Sequence, residues 1–162
     1  MQESNQVKNL IKISLVAAVY VVLTVGFLPI SYGNIQFRIS EVLILFAFID
    51  KKYIPGLVLG CAIANFYSPL GMLDVVFGTT ATLFSLIAIS KTKNLFLASL
   101  WPVVFNGLIV GAELKYAFGL PYLLTAAQVA VGEFVVVSLA GVAVFKLLTS
   151  KESFLKVISM QS

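Results

Sequence analysis

The sequence predicts an all-α integral membrane protein, a bundle of six transmembrane helices with both termini in the cytoplasm. Three observations carry this expectation. Of 162 residues, 60% are hydrophobic and only 11% charged, with a mean hydropathy of +1.03; soluble domains carry roughly 25% charged residues. The apolar runs are long and continuous rather than alternating at period two. Where lipid leaves every backbone polar group to be satisfied internally, that pattern selects helices over a barrel. Finally, the basic residues are distributed very unevenly along the chain. At this length one domain, 1–162, is expected.

The apolar segments run over roughly 10–28, 39–50, 53–67, 71–90, 95–116 and 121–148, followed by a tail, 150–162. A straight span needs about 20 residues, so the second and third segments are short, and hydropathy alone allows four crossings as well as six. The basic residues discriminate between these. With six spans and the N-terminus inside, Lys8, Lys12, Lys51, Lys52, Lys91, Lys93, Lys146, Lys151 and Lys156 are cytoplasmic, and only Arg38 and Lys115 are external. This is a strong positive-inside asymmetry. It accounts for the net charge of +4 without a nucleic-acid partner. A single span over 39–67 would bury Asp50, Lys51 and Lys52 at mid-bilayer, at a cost of about 2.5–3.5 kcal/mol per central charge. A tight cytoplasmic turn is expected there, with a re-entrant pair as the alternative.

Each segment has its own markings. The first carries small residues at Ser14 and Ala18, a candidate face for another protein. The second opens on Arg38 and Glu41. The third has a stripe of Gly56, Gly60 and Ala64 that lets helices approach closely in lipid, and it closes on Asn65. The fourth opens near Asp74. The fifth holds Asn106, Glu113 and Tyr116, and the sixth Ala126, Ala130, Gln128 and Glu133. The tail alternates lysine with Phe154, Leu155, Val157 and Ile158. It reads either as a short amphipathic helix on the inner surface or as an unstructured end.

Several function classes are excluded. The chain has no histidine, and Cys61 is its one cysteine, so histidine catalysis, a disulfide framework and a thiolate metal cluster are out. No G-x-x-x-x-G-K-[ST] phosphate loop and no G-x-G-x-x-G occurs. The chain is too short for two six-helix carrier halves. No cleavable secretory signal is expected, because the first apolar run is too long for an h-region.

Ionisable residues inside membrane segments are functional candidates by default. Under the six-span topology Arg38, Glu41, Asn65, Asp74, Asn106, Glu113 and Glu133 all fall at mid-depth or in the outer half, beside Gln36 and Gln128. The inner halves are almost without polar groups. The expectation is a pocket open to the outside and closed toward the cytoplasm. Structural alternatives stand beside it: Arg38 and Glu41 could pair at three-residue spacing, Asp74 could cap the fourth helix, Asn65 could bond across helices, and Glu113 and Lys115 could be hydrated at the interface. Glu133, in an otherwise apolar run, is the hardest to explain structurally. Four carboxylates against two basic groups make the region acidic, suited to a ligand that donates hydrogen bonds or carries positive charge, such as a nitrogen-rich ring. Tyr32, Phe37, Tyr67, Trp101 and Tyr116 are candidates to stack on it, although interface anchoring is the commoner role of such aromatics. Residues 31–34 form a short glycine-containing loop that could act as a lid. Two other classes remain as rivals, a membrane enzyme acting on lipid or isoprenoid and a structural membrane protein without a ligand.

The run from Ile30 through Ser31, Tyr32, Gly33, Asn34, Ile35, Gln36, Phe37, Arg38, Ile39 and Ser40 to Glu41 resembles the signature of the QueT family, S-components of energy-coupling factor (ECF) transporters associated with uptake of queuosine precursors. Leu59-Gly60-Cys61, Ala64-Asn65, Ser68-Pro69-Leu70-Gly71 and Asp74-Val75-Val76-Phe77-Gly78-Thr79 are also similar. The resemblance implies a six-helix substrate-binding subunit in a bacterial plasma membrane, with no enzymatic activity and no cofactor of its own. Its partners would be a transmembrane T-component and two ATPases that hold ATP and Mg, as in an ABC importer. Ser14 and Ala18 stand where the family's A-x-x-x-A docking pattern would lie. The implied substrate is a 7-deazaguanine such as preQ1 or preQ0. Hydroxymethylpyrimidine, thiamin-related and pyridoxine-type vitamins fit the same chemistry.

Overall fold

The computed structural model describes residues 2–33 and 35–160. Asn34 of the expected lid and residues 161 and 162 of the tail lie outside the described residues, as does Met1. The architecture is all-helical. Helix α1 is Gln2–Gly26, followed by a single turn at Leu28–Ser31. Helix α2, Ile39–Ile49, starts as a 3₁₀ helix (Ile39–Leu45) and finishes as α. The other helices are α3, Ile54–Asn65; α4, Met72–Lys91; α5, Leu95–Phe118; α6, Tyr122–Thr149; and a short α7, Glu152–Ile158.

Helices α1, α4, α5 and α6 contain stretches long and apolar enough to cross a membrane. Helix α3 has 12 residues, about 18 Å at 1.5 Å per residue, and α2 is similarly short; the hydrocarbon core is about 30 Å thick. Helix α1 begins eight residues before the segment read from hydropathy. Hydropathy marks where lipid starts, whereas a polar helix continues into water at no cost.

Local chemistry sets the breaks. The Asp50 carboxylate accepts the Lys52 N–H at 2.9 Å and caps the turn between α2 and α3, and Pro55 sits in the first turn of α3, where its missing donor is harmless. The Ser68 hydroxyl accepts from the N–H groups of Leu70 and Gly71, and Gly71 takes φ +54° to launch α4, a conformation natural only to glycine. Asn94 caps α5 through the Leu97 N–H at 3.0 Å. Gly119 ends α5 in the left-handed region. Within α6 a π-helical stretch, Phe134–Gly141, follows directly on Glu133.

Helix α1 packs on α3, α3 on α4, α4 on α5 and α5 on α6. Two of these contacts depend on missing side chains. A Cβ on Gly60 would stand 2.9 Å from the Ala17 carbonyl oxygen of α1, and one on Gly111 would stand 2.7 Å from the Ala126 Cα of α6. Helix α7 folds back on the bundle: Tyr53 Oη donates to the Ile158 carbonyl at 2.7 Å and Lys12 Nζ to the Ser159 carbonyl at 2.8 Å. Lys12, the Lys51–Tyr53 turn and the tail therefore share one end. The half of the bundle next to them holds the main apolar core, including Ile44, Leu45, Leu57, Leu86, Ile89 and Phe145.

A Gly111→Ala substitution forces two backbones apart and is expected to cost about 1–3 kcal/mol. Gly26→Ala, where an added Cβ meets nothing within 4 Å, is expected to be neutral. Thermal unfolding of the detergent-solubilised variants, side by side, measures the difference.

Candidate functional site

The extended backbone of residues 36–38 delivers Arg38 into the bundle, where it is 2% exposed. Its Nη2 lies 3.4 Å from Asp74 Oδ1, its Nη1 donates to Asn65 Oδ1 at 3.2 Å, and its Nε donates to the Ser31 carbonyl at 3.4 Å. The Tyr32 ring covers the guanidinium at 4.8 Å from its centroid, a cation–π contact. Tyr32 Oη donates to the Ala64 carbonyl and to Asn65 Oδ1. Asn65 Nδ2 reaches the Asp74 carbonyl at 2.9 Å and Thr79 Oγ1 at 3.3 Å. Gly78 leaves space for this amide, since a Cβ there would stand 2.8 Å from Asn65 Nδ2. One ion pair and one asparagine thus tie the lead-in to α2, the end of α3 and the start of α4 together.

The expected Arg38–Glu41 pairing is not made. Arg38 precedes the helix with an extended backbone (φ −79°, ψ 91°), so its side chain does not share the face of Glu41. Glu41 turns toward α1, where Oε1 accepts the Tyr20 hydroxyl. Asp74 makes no side-chain cap; it lies in the first turn of α4, where the helix dipole favours an anion, and takes Arg38 instead. Asn65 does bond across helices. Glu113 is fully buried rather than hydrated and lies within electrostatic reach of Asp74 and Arg38. Glu133 Oε1 accepts from Asn106 Nδ2 at 2.8 Å across the α5–α6 contact. The preceding residue, Gly132, rests on the 36–38 stretch: a Cβ there would stand 2.3 Å from the Gln36 carbonyl oxygen.

All seven expected site residues are buried, at 2% exposure or less. Arg38, Asn65 and Asp74 form one hydrogen-bonded group, Asn106 and Glu133 a second, and Glu41 joins Tyr20. Five buried oxygens of this set accept no hydrogen bond from the described residues: Glu41 Oε2, Asn106 Oδ1, Glu113 Oε1 and Oε2, and Glu133 Oε2. Each unmet group of this kind costs about 1–3 kcal/mol. The Asn106 carbonyl oxygen, and the carboxylates while ionised, can only accept, which suits hydrogen-bond donors or positive charge. A cleft of about 40 Å³ between Tyr32, Gln36, Leu70, Leu114 and Phe118 touches the cluster at Asp74. That is room for a few waters at most, so a ring-sized ligand needs Tyr32 or the neighbouring loops to move.

The other aromatics stand apart. Trp101 stacks on Phe105 near the lysine-rich end, Phe37 packs against the main apolar core, and Tyr67 and Tyr116 are exposed. Lys115 is exposed and Gln128 half-buried, neither in the hydrogen-bonded groups. Tyr20, the partner of Glu41, was not singled out from the sequence; its position deep in an apolar run, away from any interface belt, was the available signal. Among the described residues no set of side chains is placed to hold a metal ion. Ser14 and Ala18 are both exposed on α1. That helix buries only 17% of its apolar window, against 39–44% for α4, α5 and α6, so one of its faces is left without an internal partner.

A family model described as "QueT transporter" matches residues 10–150. The "Queuosine precursor transporter QueT" of Lactococcus lactis subsp. cremoris (strain MG1363) is 37% identical over 145 residues, covering 78% of this chain and 83% of that protein. No solved structure matches the chain.

Removing one partner of a buried ion pair typically costs about 3–5 kcal/mol, because the other charge stays buried. Asp74→Asn and Arg38→Met are each expected to lower the unfolding temperature sharply, and the double variant Arg38→Met/Asp74→Leu to recover part of the loss. A double-mutant cycle on the solubilised protein checks this.

Proposed function

Because the chain belongs to the QueT transporter family, we propose that it is the S-component of an ECF importer and captures a queuosine precursor, a 7-deazaguanine of the preQ1 or preQ0 type, from outside the cell. It is a multi-pass protein of the cell membrane. The observation that carries the substrate reading is the set of five buried acceptor atoms without a donor. A 7-deazaguanine brings ring and exocyclic N–H groups, and preQ1 adds an ammonium. Glu133 with Asn106 receives the N–H edge of the ring, Glu113 and Glu41 receive further donors, and Arg38, Asp74 and Asn65 hold the wall on which the ring rests. Transport rather than catalysis is the role. ATP and Mg are bound by two partner ATPases, which act through a T-component docked on the α1 face that carries Ser14 and Ala18.

The reading includes six crossings with both termini in the cytoplasm. Helices α2 and α3 enter from the outer surface and meet at the Asp50–Lys52 turn on the inner one. The return of α7 onto Tyr53 and Lys12 supports a common side for that turn, the start of α1 and the tail.

Binding by the purified protein tests the substrate. Micromolar or tighter binding of preQ1 is expected, with Glu133→Gln weakening it at least tenfold and Lys115→Gln leaving it unchanged. Binding of hydroxymethylpyrimidine or pyridoxine alone moves the substrate to a vitamin, and retention of full uptake by Glu133→Gln removes the site. Topology is tested separately. Cys61 is fully buried, so single cysteines at Lys51→Cys and Lys115→Cys are expected to react with an impermeant thiol reagent from opposite sides of the membrane.

A further inference from the structure

A second concave surface lies in the lysine-rich half of the molecule, away from the carboxylate cluster. Phe84, Ile87, Ala88 and Lys91 of α4 face Trp101 and Phe105 of α5 across a groove of about 580 Å³. Trp101 and Phe105 stack at 5.8 Å between centroids, and Phe84 leans on Phe105 at 5.8 Å. A continuous aromatic wall therefore runs from the end of the bundle toward its middle. The polar groups along it are met within the protein. Trp101 Nε1 donates to Thr92 Oγ1 at 2.9 Å, and Thr92 Oγ1 donates to the Ala88 carbonyl at 2.8 Å. Lys91, at the mouth, and Lys93, two residues on in the turn, are exposed and pair with no carboxylate among the described residues. An occupant must be apolar along its length and anionic at one end.

We propose that this groove binds an anionic phospholipid, with the phosphate on Lys91 and Lys93 and one acyl chain along Trp101, Phe105 and Phe84. Basic pockets between membrane helices recognise such headgroups, and each lysine near an anionic surface contributes about a fivefold gain in binding. Trp101 lies at the end of the bundle that carries Lys91, and tryptophan is enriched where membrane helices meet the lipid interface. A protein helix would fill the groove equally well but gives the two unpaired lysines no phosphate, so charge favours the lipid. The site is independent of the substrate reading, because none of its residues belongs to the carboxylate cluster.

The test is native mass spectrometry of the full chain titrated with phosphatidylglycerol or phosphatidylcholine. The unaltered protein is expected to retain phosphatidylglycerol preferentially. K91Q is expected to lower that retention roughly fivefold. Ala88→Trp, which fills the groove and keeps both lysines, is expected to lower it as well. K51Q, at the same end but outside the groove, is expected to change little. Equal retention of the two lipids overturns the proposal, as does an equal loss in K91Q and K51Q. A groove that binds no lipid and becomes protected only when partner subunits are added belongs to a protein helix. An unchanged thermal unfolding transition in each solubilised variant shows that the fold is intact, and since Lys91 is exposed, the K91Q comparison stands even where Ala88→Trp does not fold.

Discussion

The structure turns on the burial of one guanidinium. Arg38 lies beneath the surface of a membrane protein at 2% exposure, where an unpaired cation is costly. Everything near it meets that requirement. Asp74 supplies the countercharge, Asn65 and Ser31 each accept a further N–H group, and the Tyr32 ring covers its face. These partners come from the turn after α1, the end of α3 and the start of α4, so meeting the demands of one side chain fixes three junctions. Glu113 lies beside them, within electrostatic reach of both Arg38 and Asp74.

Arg38 forms its ion pair with Asp74, and among the described residues no other carboxylate of the cluster is in a salt bridge. Tyr20 and Asn106 each meet one oxygen, and the other oxygens of Glu41 and Glu133 stay unmet along with both of Glu113. The cluster divides into a satisfied half, which is architecture, and an unsatisfied half, which is appetite for donors.

Much of this was legible in the sequence, for identifiable reasons. Polar and charged residues in apolar runs are rare enough to be noticed one by one, and all seven singled out are buried. Helix limits from Met72 onward fell within two residues of expectation, because lysines, Asn94, Gly119 and Pro121 punctuate those runs. Partners were less legible. The Arg38–Glu41 spacing looked like a helical pair, but the helix begins one residue too late for it, and long-range partners such as Asp74 and Tyr20 leave no periodic trace. The π-helical stretch after Glu133 has no sequence signature at all. The short α2 and α3 left hydropathy alone open between four and six crossings; the lysines decided for six in the sequence, whereas by length and composition four helices of the fold are long enough to cross.

The contact at Gly132 has a mechanical consequence. The backbone of Gln36 lies directly on α6, with no side chain between them, one residue before Glu133 and two residues before Arg38. Any twist of α6 that re-aims Glu133 must carry the Arg38 strand with it, like two gears without backlash. The placements of Glu133 and Arg38 are therefore coupled through one backbone contact.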